Sequence, residues 1–301
     1  MEPLLRILRQ PDNVPIVLMV PLFLGIVMHW WRAARRHARL LVEGGEAAVR
    51  RELDGPVPEG APEPKVHTWP YLLRVEFLAA LVVMIVLIAW SIVLDAPLEQ
   101  LADPTRTPNP SKAPWYFLGL QELLVYFDPW IAGVMLPALI IIGLCLIPYL
   151  DVNPAGSGFH SWRGRRFAIT TFLFGFFGLW LGLILVGTFC RGPGWNWFWP
   201  WEAWDRARAV DLATRDWPAL FGVPPGLASS LFGGATVAGW YALGVIGWLW
   251  ARRGPTLQRL GRSRYAVVAF LLLTMLGVPV KMALRLGFSV KYVWTTPWFN
   301  V

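Results

Sequence analysis

Charged residues and cysteines are both scarce in this chain. Only 15% of its 301 residues are Asp, Glu, Lys or Arg, whereas 56% are hydrophobic, and this balance excludes an ordinary soluble domain. The two cysteines, Cys145 and Cys190, lie far apart, and no C-x-x-C-H motif occurs. The chain therefore has no motif for covalent haem and no cysteine cluster for zinc or an iron–sulfur centre. We predict that it ligates no metal.

Histidine is equally rare, with four residues in all. Only His29 lies in a long apolar run, near one end, whereas a membrane haem with two histidine ligands needs pairs that face each other across helices. We expect His29 to be an interfacial residue. If the protein takes part in electron transfer, its metal centres belong to partner subunits.

Long uncharged apolar runs are what the chain has instead. About 20 apolar residues span a bilayer as a helix, and six runs are close to this length. We therefore predict an all-α integral membrane protein with about six transmembrane helices. The runs are Val14–Trp31, Phe77–Leu94, Trp130–Leu150, Phe167–Cys190, a stretch within Ser229–Trp250, and Tyr265–Val280.

Arginine clusters follow the first, third and fifth runs. Because basic residues concentrate on the inner side of membranes, these clusters predict that both termini lie on the outer side of a bacterial-type inner membrane. The same clusters account for the net charge of +8, so no nucleic acid is expected as a partner.

The loop between the second and third runs is the most informative stretch. Four prolines hold its first half extended, and an apolar face at helical spacing follows, interrupted by Gln121 and Glu122. This pattern predicts a short amphipathic surface helix in an outer loop. Such a helix is compatible with the roof of a pocket for an apolar substrate and equally with an inert surface helix. The prolines are Pro104, Pro108, Pro110 and Pro114, and the apolar positions include Trp115, Tyr116, Phe117 and Leu118.

Two further features allow two interpretations each. Arg74 and Glu76 lie near the inner end of the second run and form either an interfacial ion pair or part of a proton route. Five tryptophans within ten residues follow the fourth run. Interfacial enrichment explains them, and a docking ledge for an extrinsic partner is the alternative. They are Trp195, Trp197, Trp199, Trp201 and Trp204.

The order of these features resembles the C-terminal domain of cytochrome b, which also occurs as the separate subunit IV of the photosynthetic cytochrome complex. The run A-P-W-Y-F at 113–117, after A-D-P-T-R-T-P, is similar to the P-E-W-Y segment of that family and its proline-rich approach. Trp69–Pro70 and Pro148 match flanking features, so the resemblance covers roughly residues 67–190. On it we divide the chain into 1–66 (anchor helix and proline-rich inner linker), 67–190 (family domain) and 191–301 (Trp-rich loop and two further helices).

The resemblance implies a subunit of a bc-type quinol:cytochrome c oxidoreductase, forming part of the outer quinol-oxidation site and coupled to proton release. Quinol would be the substrate. Haem b would be carried by an N-terminal-type cytochrome b subunit and the 2Fe-2S centre by a Rieske protein, with a c-type cytochrome and membrane lipids as further partners in a dimeric complex. The alternative is a non-catalytic assembly subunit. A small transporter is a third interpretation, disfavoured by the lack of repeat symmetry.

The resemblance also implies roles for individual residues. Trp115 and Tyr116 occupy the W and Y of the motif, and Pro114, Phe117 and Leu118 extend this quinone-binding set. Pro114 occupies the position of the motif's glutamate, the proposed proton acceptor, and its side chain accepts no proton. Glu122, seven residues after Trp115 and hence on roughly the same helix face, is the first candidate substitute. The second is Asp128, and Arg74 and Glu76 are candidates for an inner quinone or proton route.

Overall fold

The computed structural model describes residues 2–10, 13–54, 68–95, 101, 103–105, 108–152, 162–205, 207 and 213–301. Within these ranges the regular structure is helical, with isolated β-bridges only. The prolines of the predicted inner linker (residues 40–66) and the boundary at 66/67 lie outside the described residues, whereas residues 40–54 of that linker are described and are helical, because the helix Val14–Asp54 continues well past the first apolar run. The helices are α1 Glu2–Arg9, α2 Val14–Asp54, α3 Leu73–Val93, α4 Trp115–Leu123, α5 Leu136–Leu150, α6 Trp162–Leu173, α7 Gly182–Phe189, α8 Trp217–Leu220, α9 Leu227–Ala251 and α10 Pro255–Phe288.

Among the described residues, six helical segments are long and apolar enough to cross a membrane. Three of them continue through π-helical turns, which precede α3 and α5 and join α6 to α7. The predicted number of spans and the short helix between spans two and three are both confirmed, and the chain is a multi-pass membrane protein. The segments are Val14–Glu52, Thr68–Val93, Ile131–Leu150, Arg165–Phe189, Leu227–Ala251 and Leu257–Phe288.

The chain divides into two compact units, and the first to consider comprises residues 9–106 and 157–164. Its helix α2 breaks at Gly45, whose φ of 66° suits glycine. An ion pair of 2.7 Å joins Arg36 Nε to Glu52 Oε1 across this break. The second helix of the unit, α3, is exposed along its whole length. An apolar helix of this kind is suited to contact with lipid or with another membrane helix.

The other unit comprises residues 1–8, 107–156 and 165–301. Its core lies between the end of α4, the start of the third span and α7, around Tyr126, Phe127, Ile131 and Leu183. Helix α4 lies against α7 at two glycines. A Cβ atom on Gly119 would lie 3.2 Å from Ile184 Cγ1, and one on Gly187 would lie 3.3 Å from the Leu118 carbonyl oxygen. Glycine is therefore what permits this close approach.

The last two spans, α9 and α10, pair through polar side chains that donate to backbone carbonyl oxygens of the neighbouring helix. Trp240 Nε1 donates to the Leu273 carbonyl oxygen at 3.0 Å, and the Tyr265 hydroxyl donates to the Gly244 carbonyl oxygen at 2.8 Å. In a membrane a buried polar group needs such a partner. The C-terminal segment then returns, and Phe299 and Val301 pack against the core beside α4.

Candidate functional site around helix α4

Helix α4 begins directly after Pro114, whose extended backbone (φ −51°, ψ 149°) precedes the first helical residue. Proline is favourable here because the first amide groups of a helix lack intrahelical partners in any case. Leu118, Gly119 and Glu122 are buried, whereas Tyr116 and Phe117 are 52% and 53% exposed. The helix therefore buries one face against α7 and presents an aromatic face outward.

The residues predicted to bind quinone separate into two groups on this helix. The rings of Trp115 and Tyr116 meet edge to face at 5.7 Å, and those of Tyr116 and Phe117 lie 4.9 Å apart. Pro114 is exposed beside them. Leu118 is only 3% exposed and packs at Gly187. Four of the five residues thus share one accessible surface, and the fifth lies in the interface with α7.

The proline-rich segment that precedes α4 is held to this helix by one side chain, that of Gln121. Gln121 Oε1 accepts a hydrogen bond from the Ala113 amide at 2.8 Å, and Gln121 Nε2 donates to the Ser111 carbonyl oxygen at 2.9 Å. Both groups lie in a segment interrupted by prolines, which cannot form a regular backbone ladder. Gln121 supplies the hydrogen bonds that secondary structure would otherwise provide.

The same proline-rich segment also contacts the end of α7 and the loop that follows α7. Lys112 Nζ donates to the Thr188 carbonyl oxygen at 2.8 Å and lies 4.8 Å from the centre of the Trp204 ring. The Gly194 amide donates to Asn109 Oδ1 at 2.6 Å. These contacts bring two predicted outer loops to the same end of the unit, as alternating spans require.

Glu122 lies at the centre of a buried polar cluster. Its carboxylate has no exposed surface and forms an ion pair with Arg191, with Nη2 at 2.6 Å from Oε1 and Nε at 3.0 Å from Oε2. The Tyr126 hydroxyl donates to Oε1 at 2.7 Å, and Trp195 Nε1 donates to Oε2 at 3.1 Å. Both oxygens are therefore saturated by donors, as an ionised carboxylate requires.

The groups around the pair respond to the Glu122 carboxylate and the Arg191 guanidinium. Burial tends to lower the pKa of Arg191, but its hydrogen bonds to Glu122 and the charge of that carboxylate more than compensate, and the pKa is raised. Burial raises the pKa of Tyr126, and the Glu122 charge raises it further. Tyr126 is therefore a protonated donor. Burial also lowers the pKa of Lys112 to about 8, although Cys190 and Glu122 act in the opposite direction.

The other predicted carboxylate, Asp128, has a different environment. It is half-buried and accepts a hydrogen bond from the Trp130 amide at 3.0 Å through Oδ1. This contact caps the first turn of the third span. Asp128 keeps accessible surface, which Glu122 lacks.

The predicted inner-side residues lie on α3. Arg74 and Glu76 are both exposed and are two positions apart, a spacing that places helical side chains on different faces. They form no ion pair with each other or with any other residue that the structure describes. Their assignment to a quinone or proton route stays a prediction.

Arg191 is the main residue that analysis of the sequence left without a role. It opens the Trp-rich loop directly after the fourth span, yet it is only 3% exposed. Its position gave no signal, because the loop that it opens carries three further arginines, Arg206, Arg208 and Arg215. Arg191 is distinguished by its ion pair with Glu122, which lies 69 positions earlier in the sequence. Its guanidinium also lies 5.5 Å from the centre of the Trp197 ring.

The family comparison matches this part of the chain. Residues 101–190 match the family described as cytochrome b (C-terminal)/b6/petD. The predicted resemblance is confirmed for this segment. It includes α4, the third and fourth spans and Glu122, and it stops one residue before Arg191. The first two and last two spans lie outside the match.

Curated relatives are similar to this chain over a segment about as long as the family match. A protein of Geobacillus thermodenitrificans named menaquinol:cytochrome c reductase cytochrome c subunit is 35% identical over 91 residues, which are 29% of this chain and 36% of the relative. Its namesake in Bacillus subtilis (strain 168) is 37% identical over 90 residues, 28% of this chain and 34% of the relative. The chain thus spans about a third of the length of the curated relatives it matches. No solved structure gives a significant match.

The relatives' names and this sequence differ in one respect. Both names specify a cytochrome c subunit, whereas the 301 residues contain no C-x-x-C-H motif. Among the residues that the structure describes, no group of three or more His, Cys, Asp or Glu side chains could hold a metal ion.

Proposed function

We propose that this chain is a subunit of a membrane quinol:cytochrome c oxidoreductase of the bc type, in which α4 forms one wall of the outer quinol-oxidation site. The observation that carries the proposal is the outward aromatic face of α4, formed by the exposed rings of Tyr116 and Phe117 beside the half-buried Trp115. An aromatic wall at membrane depth suits an apolar quinol ring. The family match and the names of the relatives support the same reaction class.

The pocket needs a second wall, which we assign to a partner subunit. Tyr116 and Phe117 are half exposed, whereas a bound ring requires contact on both faces. Two surface depressions of this chain, of about 470 and 370 Å³, lie elsewhere, one at the inner end of α5 and one between α9 and α10. A haem-bearing cytochrome b subunit of the N-terminal type is the expected source of the missing wall.

The cluster around Glu122 holds this wall in place. A proton acceptor must exchange its proton with substrate or water, but Glu122 is fully buried and paired with Arg191. Protonating it would leave a buried guanidinium without its counter-charge. We therefore propose that Glu122 positions α4, and that Asp128 or a partner residue accepts the quinol proton. The earlier prediction for Glu122 is testable against this one, since only a proton acceptor moves the pH profile.

In this proposal quinol would give up two electrons and two protons. A Rieske 2Fe-2S protein and haem b would each accept one of the electrons, and a c-type cytochrome would accept the electron from the Rieske centre; all three centres belong to partner chains. The chain supplies the aromatic wall and its support. We place both termini on the periplasmic side of a bacterial inner membrane, because the arginine clusters follow the first, third and fifth spans.

Quinol-dependent reduction of cytochrome c by the purified native complex tests the proposal. We expect Tyr116→Ala and Phe117→Ala to raise KM for quinol or lower kcat/KM about tenfold, since each removes an aromatic contact. Tyr149→Ala is the matched control, because Tyr149 is 72% exposed at the other end of the third span. Haem content and subunit stoichiometry must stay unchanged in every variant.

A specific outcome would favour the alternative of a non-catalytic assembly subunit. In that case Tyr116→Ala and Phe117→Ala would turn over like the wild type, and removal of the chain would lower the amount of complex without changing turnover per haem. An Asp128→Asn variant separates the proton acceptors. Loss of turnover with a shifted pH profile would assign the proton to Asp128, whereas an unchanged profile would assign it to a partner.

A further inference from the structure

Near the end of α10 lie two basic side chains, the buried Lys281 and the half-buried Arg285. Lys281 is only 4% exposed, and its Nζ donates to the Lys291 carbonyl oxygen at 2.7 Å. Arg285 follows one turn later on the same helix face. Within the described part of the chain neither side chain forms an ion pair. Both lie beyond residues 101–190, the segment matched by the family.

Unused hydrogen-bond donors occur at the same place. Arg285 Nη1 and Trp217 Nε1 are buried, and neither has an acceptor among the described residues. Tyr292 is the neighbour that the three residues share. Its carbonyl oxygen accepts from the Trp217 backbone amide at 2.8 Å, its ring centre lies 5.8 Å from Lys281 Nζ, and its hydroxyl is close enough to Arg285 to act on it electrostatically. Tyr292 therefore links Lys281 and Arg285 to the backbone of Trp217.

The charge in this region is not balanced. The charged groups that act on Lys281 are Asp216 and Arg285, and those that act on Arg285 include Arg191, whose own charge is matched by Glu122. Among the described residues one carboxylate, Asp216, thus acts on Lys281, and the neighbouring Arg285 adds a second positive charge. Buried charges require compensation. Water could satisfy the free N–H groups, but it supplies no negative charge.

We propose that Lys281, Arg285 and Trp217 form a binding site for a phosphate group at the outer end of the last span. A guanidinium presents several donors to one anion, and phosphate oxygens offer enough acceptors for an ammonium and an indole N–H as well. The site lies next to exposed apolar surface on the same helix, since Leu286 and Phe288 are 55% and 65% exposed. This surface favours an anionic phospholipid over free phosphate.

Native mass spectrometry of the detergent-solubilised complex, together with its thermal unfolding, tests the site. We expect the wild-type complex to retain anionic phospholipid, and added phosphatidylglycerol to raise the Tm of a delipidated sample. Arg285→Gln and Lys281→Met should each weaken this binding about tenfold, the value of one charged hydrogen bond. Arg215→Gln is the control, because it removes the same charge from an exposed side chain nearby and should bind as the wild type does.

Comparison of two probes on the wild-type complex identifies the source of the phosphate and needs no variant. If inorganic phosphate raises the Tm and phosphatidylglycerol does not, the phosphate site stands but its ligand is the free ion. If neither probe raises the Tm and no phospholipid is retained, the proposal is wrong. Equal retention by the wild type and by Arg285→Gln and Lys281→Met variants that assemble normally would also refute it, because the lipid would then bind elsewhere.

Discussion

The buried pair of Glu122 and Arg191 gives the sharpest prediction for stability. Glu122→Gln keeps the shape of the side chain but removes the negative charge opposite a guanidinium that is only 3% exposed. Four N–H and O–H groups of Arg191, Tyr126 and Trp195 converge on the carboxylate. Breaking one side of such a buried pair costs about 3–5 kcal/mol. We therefore expect the free energy of unfolding to fall by about this amount.

A double variant separates the ion pair from simple packing. If Glu122→Met and Arg191→Met are combined, no buried charge is left unpaired, and the loss should be well below the sum of the two single losses. The assay is unfolding of the purified complex by heat or denaturant, and protease cleavage within α4 is the readout that detects it. A Glu122→Gln complex as stable as the wild type, or additive losses in the double variant, would refute the idea that the pair holds α4 in place.

Three further predictions concern the support of α4. Gly187→Val should destabilise the α4–α7 contact by about 1–3 kcal/mol, whereas Gly133→Val should cost less because nothing lies within 4 Å of a Cβ there. Thermal unfolding compares the two variants, and equal losses of stability would contradict the argument that glycine permits the close contact of α4 with α7. Burial lowers the pKa of Lys112 to about 8, so between pH 8 and 10 the unfolded chain binds more protons than the folded chain, and the free energy of unfolding should rise with pH in this window. Lys112→Met should flatten this rise, and an unchanged slope in the variant would exclude Lys112 as its cause. Gln121→Met should speed hydrogen exchange of the Ala113 amide, because Gln121 Oε1 accepts a hydrogen bond from this amide at 2.8 Å. Unchanged protection of the amide would show that another group holds the proline-rich segment before α4.

The spans and α4 follow from local sequence because apolar length and helical spacing act over neighbouring residues. The break in α2 at Gly45 was not predicted. Two adjacent glycines permit a positive φ, but they do not reveal that Arg36 and Glu52 meet across the break. Local pattern thus predicted the elements and missed a tertiary contact.

The site shows the same limit more clearly. The aromatic set at 114–118 was predicted from its motif, but that Leu118 lies against Gly187 depends on how α4 docks on α7. Helical spacing placed Glu122 near the face of Trp115. It could not show that Arg191, 69 positions later, forms an ion pair with it. Contacts between residues so far apart in sequence depend on the packing of whole helices, which the periodicity of one helix does not encode.

Photolabelling of the native complex with an azido-menaquinol analogue tests the central claim most directly. The relatives' names make menaquinol the natural probe. We expect the label on the peptide that contains residues 114–117, and we expect excess unlabelled menaquinol to suppress it. Labelling confined to partner subunits, with α4 unlabelled in a complex that turns over, would contradict the claim that α4 forms a wall of the quinol site.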